Sequence, residues 1–438
     1  MKEDSVKPHP PDRESPVRHQ GCWSLRLHCQ GLAVHEKLSY PARYGRYHEL
    51  LTTDAVYHLG LDGFPKYAQG RRADWPHPQE WLKPTRGGDW IYYSTQGYSD
   101  LFDLTGEYYY PFLSYVSNPL FSGNPFQCRA VVDLLQGHDQ LCRQAAKLVD
   151  TGVFTEEAGD VLRLFSHWSS EAISRHGQAH LRLLQARIPV LPPDCRHVDY
   201  DVLPVMVSEG CLANCGFCRV KTSGEFRIRP LPEVEKQLLG LQGLLGAELA
   251  NYRGIFLGQH DALACGIEHI HAALELVLGR LALGRGFVRE PVVFFFASTA
   301  SLLAAGEAEL RRLERNDCRI YINIGLESFD QATLDALQKP VRGEDNIAAF
   351  RRILAINRQC SRLALSANLV SGRLTGPGHL ERLIAVIQRE VPVFDPGTVI
   401  YLSPLTGACG VREVLADLRR IQALRRLPIF PYLIQRLF

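Results

Sequence analysis

Cys211, Cys215 and Cys218 stand at a C-x3-C-x2-C spacing inside SEGCLANCGFCRVKTSG, a glycine-containing stretch that follows a short apolar run. A loop can bend three thiolates around one soft metal centre, which neither a regular strand nor a helix could do at this spacing. Thiolates at this density select iron–sulfur clusters or zinc over hard cations. A structural zinc would want a fourth ligand, and no Cys or His follows at a usual short distance. Three cysteines on a [4Fe–4S] cluster leave one iron open to an outside group. That open position is where chemistry could happen.

The apolar run before the cysteines, DVLPVMV (201–207), is the first of six strand-like segments. The others are GIFLG (254–258), PVVFFFA (291–297), RIYINIGL (319–326), RLALSANLV (362–370) and GTVIYLS (397–403). Helix-like segments such as LPEVEKQLLGLQGLL, GIEHIHAALELVLGRLAL and NIAAFRRILAINRQ lie between them, and VREVLADLRRIQALRR follows the last. Strands alternating with helices predict a parallel sheet with helical crossovers. The expected fold class is α/β, a (β/α)6 partial TIM-type barrel, with an open doubly wound sheet as the alternative. In either fold the chemistry belongs at the C-terminal ends of the strands.

The rest of the chain differs in character. Residues 1–20 read as a flexible tail, and residues 21–187 as an N-terminal α+β module of unknown role. Twelve of the seventeen tyrosines fall between Tyr40 and Tyr115, with Trp75, Trp81 and Trp90. Recurring Pro and Gly make this aromatic-rich part (21–125) a set of short strands and turns, whereas 126–187 has helical spacing. IPVLPPDCRH (188–197) is the expected linker, 198–410 the core, and 411–438 a C-terminal helix and tail. Tyr92, Tyr93, Tyr108, Tyr109 and Tyr110 could stack a planar substrate, but such residues more often build a β-rich core. The module is expected to close the open side of the barrel.

Composition narrows the function classes. The 49 basic and 47 acidic side chains leave a net charge of +2, which gives no dominant nucleic-acid or membrane surface. No apolar stretch has the length of a membrane span, and the N-terminus MKEDSVKPHPPDRESPVRHQ lacks a signal-peptide core. The expected location is therefore the cytoplasm, where twelve cysteines are not a disulfide framework. Cys22, Cys29, Cys128, Cys142, Cys195, Cys265, Cys318, Cys360 and Cys409 are scattered singly and read as buried thiols, an auxiliary cluster being the alternative.

With the triplet placed after the first of six strand–helix units, and with Phe217 just before the third cysteine, the sequence resembles the radical S-adenosylmethionine (SAM) superfamily over about residues 200–410. GLESFDQATLDALQKPV, at the fourth strand's end, looks like the Gly-Leu-Glu-Ser segment of the Elp3-, MiaB- and NifB-like branch. The resemblance implies a [4Fe–4S] cluster on Cys211, Cys215 and Cys218, with SAM as second cofactor. It implies that Gly258 and Gln259, within GIFLGQHDAL, contact the amino group of SAM beside His260 and Asp261. Glu327 and Ser328 would face its methionyl or ribose part, and Ser298, Thr299 and Asn368 its ribose and carboxylate. The backbone of YLSPLTGACG would meet the adenine.

By the same resemblance the activity is reductive cleavage of SAM to a 5′-deoxyadenosyl radical, which abstracts hydrogen from a small-molecule or biosynthetic substrate. A flavodoxin- or ferredoxin-type reductant would be the partner. Two alternatives stay open: modification of tRNA or protein, and a non-enzymatic iron–sulfur or zinc protein. No Asp-x-His-x-x-Gly loop for cobalamin stands in the aromatic module. Read without the resemblance, Glu327 could simply cap the following helix, and His260 with Asp261 could be a structural pair.

Overall fold

The computed structural model of the chain describes residues 17–20, 22–31, 45–76, 80–84, 90–94, 107–108, 125–186, 191–198, 202–218, 225–258, 260–372, 375–405, 411–431 and 433–434. Trp23–Gln30 buries Leu25, Leu27 and Cys29 and exposes the residues between them, the period of two that a half-buried strand requires. Seven such strands pair antiparallel in chain order: β1 (Val17–Gln20), β2 (Trp23–Gln30), β3 (Arg46–Leu51), β4 (Ala55–Leu59), β5 (Pro65–Gly70), β6 (Glu80–Pro84) and β7 (Trp90–Ser94). Three helices follow, α1 (Arg129–Asp150), α2 (Glu156–Ser166) and α3 (Ser170–Leu184). Leu25, Leu50, Tyr57 and Leu59 of the sheet form one cluster with Val131, Leu162 and Phe165 of α1 and α2. Each such side chain contributes about 1.5–3 kcal/mol by leaving water.

The second half repeats strand and helix. Its elements are β8 (Val202–Met206), α4 (Leu231–Leu245), β9 (Gly254–Gly258), α5 (Ile267–Leu281), β10 (Val292–Ser298), α6 (Thr299–Ala304) and α7 (Glu307–Arg312). They continue with β11 (Arg319–Glu327), α8 (Gln331–Ala336), α9 (Gly343–Gln359), β12 (Leu363–Ser371), α10 (His379–Glu390), β13 (Val399–Pro404), α11 (Val411–Gln422) and β14 (Ile429–Pro431). The strands are all parallel and lie in chain order, β8 to β14. That order separates the two expected α/β architectures. A doubly wound sheet reverses at a switch point and carries helices on both faces. Here nothing reverses, and right-handed crossovers then put the helices on one face.

The fold is a partial (β/α) barrel with one strand more than the six expected. Ile429–Pro431 adds to the far edge by pairing with Ile400–Leu402, so part of the segment expected as a tail joins the sheet.

Alternation along the parallel strands assigns their two faces. Leu203, Val205, Ile255, Leu257, Val293, Phe295, Ile320, Ile322, Leu365 and Ile400 share one core with Leu238, Leu241, Ile270 and Ile353 of the helices. The residues between them point the other way. Near the N-terminal ends these are Phe256 and Phe294, which join the apolar cluster of the N-terminal module. Farther along they are Asn323, Glu327, Ser366, Asn368 and Ser403. The inner face therefore runs from aromatic to polar toward the C-terminal ends.

A polar clasp ties the module to the barrel. Glu248, between α4 and β9, is fully buried. It lies 3.0 Å from Lys66 Nζ and accepts hydrogen bonds from Leu61 N (2.7 Å) and Asn251 Nδ2 (2.9 Å). Removing one partner of a buried pair strands the other, so Glu248→Ala should cost about 3–5 kcal/mol. Urea denaturation reads this directly, and a loss below about 1 kcal/mol would show that the clasp contributes no more than a surface pair.

Candidate functional site

The cysteine loop leaves the C-terminal end of β8 and is pinned at its base. Ser208–Glu209 pairs antiparallel with Arg227–Ile228. Glu209 Oε1 accepts from Arg229 Nε and Arg227 Nη2, both at 2.7 Å. Inside the loop Gly210 and Asn214 take left-handed conformations, φ 72° and 41°, and Cys218 N donates to Cys215 O at 3.3 Å. Cys215 is buried, while Cys211, Phe217 and Cys218 are half-buried. Burial pushes the Cys215 thiol up; the Lys339 ammonium opposes this, and Glu327, Cys211 and Cys218 add to the rise. Cys211 and Cys218 thus both lie within electrostatic reach of Cys215. Among the described residues no three His, Cys, Asp or Glu side chains converge as a ready set for a single ion. Cys211, Cys215 and Cys218 all stand on this one pinned loop, and thiolates are the donors that an iron–sulfur cluster takes.

β11 supplies the second part. Its pairing with β12 shifts register between Gly325 and Glu327, and Glu327 takes φ 64°. A non-glycine residue in this region costs about 1–3 kcal/mol and persists only where its surroundings hold it. The holding contacts are polar. Lys339 Nζ donates to Glu327 Oε1 (3.1 Å) and to Gly325 O (2.7 Å), and Asn368 Nδ2 donates to Glu327 Oε2 (3.2 Å). Ser403 Oγ in turn donates to Asn368 Oδ1 at 3.1 Å. Glu327, read from sequence either as a cofactor contact or as a cap, does not cap α8; Asp330 does, accepting from Thr333 N at 2.9 Å.

A layer deeper, Ser366 Oγ and Tyr401 OH both donate to the carboxylate of Asp194, at 2.7 and 2.8 Å, and Asn323 Nδ2 donates to Ser366 Oγ. The 3-10 turn Pro193–Val198 therefore lodges against the inner face and props the strands that carry Asn368 and Ser403.

The remaining sequence-marked residues are placed as follows. Ser328 is fully buried, its hydroxyl bonded to His379 Nδ1 (2.8 Å) and accepting from Asp330 N (2.9 Å). It serves the turn after β11 and points away from the mouth. Ser298 caps α6 reciprocally with Ser301. Ser301 Oγ contacts both carboxylate oxygens of Asp261, at 2.6 and 2.7 Å. Thr299 Oγ1 donates to Asn346. Gly258 is buried at the end of β9, its carbonyl accepting from Val207 N at 3.4 Å. Gln259 lies outside the described residues, as do Cys409, Tyr109 and Tyr110. A cavity of about 650 Å³ opens among Leu212 and Ala213 of the cysteine loop, Asp261, Ser301, Lys339 and Val341.

His260 precedes Asp261 in the chain, its Nε2 buried without a hydrogen-bond partner among the described residues. Burial alone brings its pKa from 6.5 down to about 4. His48 in the N-terminal sheet is also near 4, through burial first and the neighbouring His28 second. A histidine whose folded pKa is depressed adds stability above its unfolded value of 6.5, and that stability is lost as pH falls toward about 4. Urea midpoints should therefore fall between pH 7 and pH 5. His48→Gln with His260→Asn should flatten that slope; an unchanged slope would contradict it.

Sequence reasoning missed Lys339, Asp194 and Ser403. Lys339 was visible as a lone cation in DALQKPV, and Ser403 as the polar residue two after Tyr401 on one strand face. Asp194 carried no signal, since its partners are far along the chain.

No family model matches the chain, and no curated protein matches it. Solved structures similar to it include the apo form of OxsB, a cobalamin-dependent S-adenosylmethionine radical enzyme, at 18% identity and TM-score 0.33 over 42% of this chain and 26% of that one. The chain thus spans about a quarter of that protein. A radical SAM methyltransferase from Sphaerobacter thermophilus is 15% identical, TM-score 0.36, over 53% and 67% of the two chains. Methylornithine synthase is 13% identical, TM-score 0.33, over 68% and 77%. At such TM-scores function has to be argued from the chain's own residues. No helix among the described residues is long and apolar enough to cross a membrane.

Proposed function

We propose that this chain is a radical SAM enzyme that works in the cytoplasm on a small-molecule or biosynthetic substrate and draws electrons from a flavodoxin- or ferredoxin-type protein. The observation that carries the reading is the buried Cys215, which stands with Cys211 and Cys218 in one loop pinned at a strand's C-terminal end. Beside it stands Glu327, held on a positive-φ bulge.

Cys211, Cys215 and Cys218 would hold a [4Fe–4S] cluster. When bound, the cluster would deliver one electron to the sulfonium of SAM, breaking its C5′–S bond to give methionine and a deoxyadenosyl radical that takes hydrogen from the substrate. The protein's part is to orient and to exclude. Phe217 gives the loop apolar cover. Glu327 and Asn368 present a carboxylate and an amide at the mouth, prearranged by Lys339 and Ser403 so that little reorganisation is needed. The backbone at Gly258, with Gln259, is the proposed place for the amino group of SAM. Asp261 is fixed by Ser301 and lines the neighbouring cavity.

A cavity near 650 Å³ falls within the range of small-molecule sites, and a net charge of +2 offers no broad nucleic-acid surface. Both favour a small substrate over RNA. The test is anaerobic reconstitution with iron and sulfide, then dithionite and SAM, with mass spectrometry for 5′-deoxyadenosine. Its formation is the expected result. A loaded, reducible protein that forms none would sink the proposal, and a strongly salt-dependent RNA affinity would redirect the substrate class.

A further inference from the structure

We infer that Lys339 is a positioning charge, shared between the cysteine loop and Glu327, that sets how readily a metal centre in this loop accepts an electron. The inference rests on the radical SAM reading and deepens it.

Two glycines set the packing around this lysine, one against Gln338 and one against Lys339 itself. Between Cys215 and Cys218, Gly216 lies where any Cβ would collide with the side chain of Gln338. The cysteine loop therefore packs directly on the turn that carries Lys339, and Gln338 there takes φ 51°. On the other side, a Cβ on Gly325 would fall 2.9 Å from Glu327 Oε1 and 3.3 Å from Lys339 Nζ. The ammonium is fixed by Gly325 O and Glu327, and the lysine and glutamate side chains are each only 9% exposed. Lys339 also lines the cavity beside Leu212 and Ala213. It is thus a buried cation wedged between the loop and the bulge, with its carboxylate partner on the side of Asn368.

Electrostatics gives the consequence. An electron arriving in the loop adds one negative charge to a region that already holds three sulfurs. Lys339 follows the residue that packs on Gly216 and lines the cavity with Leu212 and Ala213, whereas Glu327 does not line it and turns its other oxygen to Asn368. The charge of the pair on the side of the loop is therefore the positive one, which favours the reduced form. At an effective dielectric of about 20, a unit charge about 12 Å away shifts an equilibrium by about tenfold. For a one-electron couple tenfold is about 59 mV. A purely structural lysine would shift nothing once the protein is folded and loaded.

The experiment uses the full chain, reconstituted anaerobically as wild type, Lys339→Gln, Lys339→Arg and Glu327→Gln. Each is titrated with dithionite as the one-electron donor, without SAM, and the paramagnetic reduced signal is followed. Lys339→Gln should load the same iron and need a midpoint about 59 mV more negative, a tenfold loss of reduced form at fixed poise. Lys339→Arg should restore most of the difference, and Glu327→Gln should move the midpoint the other way. Unchanged midpoints in loaded variants overturn the inference and leave the radical SAM reading standing. If Lys339→Gln does not load, the sign of the Glu327→Gln shift decides. A wild type that takes up no iron defeats both.

Discussion

A Cys215→Ala chain should fold, melt close to wild type, and show neither the visible absorbance of an iron–sulfur cluster nor any SAM cleavage. Loss of the sulfur removes one of three ligands from a set that already leaves one iron open. Two thiolates cannot hold four irons against hydrolysis and oxidation. The fold should tolerate the change, because Cys215 belongs to a loop pinned by Glu209, Arg227 and Arg229. Its backbone carbonyl, which accepts from Cys218 N, survives the substitution. The deleted sulfur costs at most about 1 kcal/mol of packing. The matched readings are iron content, absorbance and thermal midpoint. Retention of absorbance and turnover would mean that the ligands lie elsewhere.

Glu327→Gln should leave the cluster in place and weaken SAM binding by about ten- to a hundredfold, the value of one charged hydrogen bond at 1.5–3 kcal/mol. Glutamine keeps the shape and the contact with Asn368 but removes the charge that Lys339 meets at 3.1 Å. The substitution therefore also tests why the backbone is held at φ 64°. If the bulge exists to aim a carboxylate, affinity falls while iron content does not. Equal SAM affinity in the two proteins would reduce Glu327 to a structural partner of Lys339. Calorimetry on anaerobic protein measures this without turnover.

The barrel was largely legible because a parallel sheet repeats. DVLPVMV, GIFLG, PVVFFFA, RIYINIGL, RLALSANLV and GTVIYLS each became a strand within a few residues of their expected limits. Ile429–Pro431 was not legible: a three-residue strand that follows Pro428 and ends in Pro431 carries too little period to register. The choice between barrel and doubly wound sheet also waited for the structure, since strand order is a long-range property.

The site divides in the same way. A cysteine triplet is local, so its spacing announces it. The cradle of Glu327 is assembled from Gly325, Lys339, Asn368 and Ser403, which meet only when three strands pair. Ser328 shows the opposite failure. It adjoins Glu327 in sequence, yet one step along a strand end turns it to the other side, into His379.

Iron and zinc analysis of anaerobically reconstituted protein tests the central claim most directly. About four irons and four sulfides per chain, lost in Cys215→Ala, is the expected result. One zinc bound tetrahedrally by this loop, with no iron taken up, would contradict it.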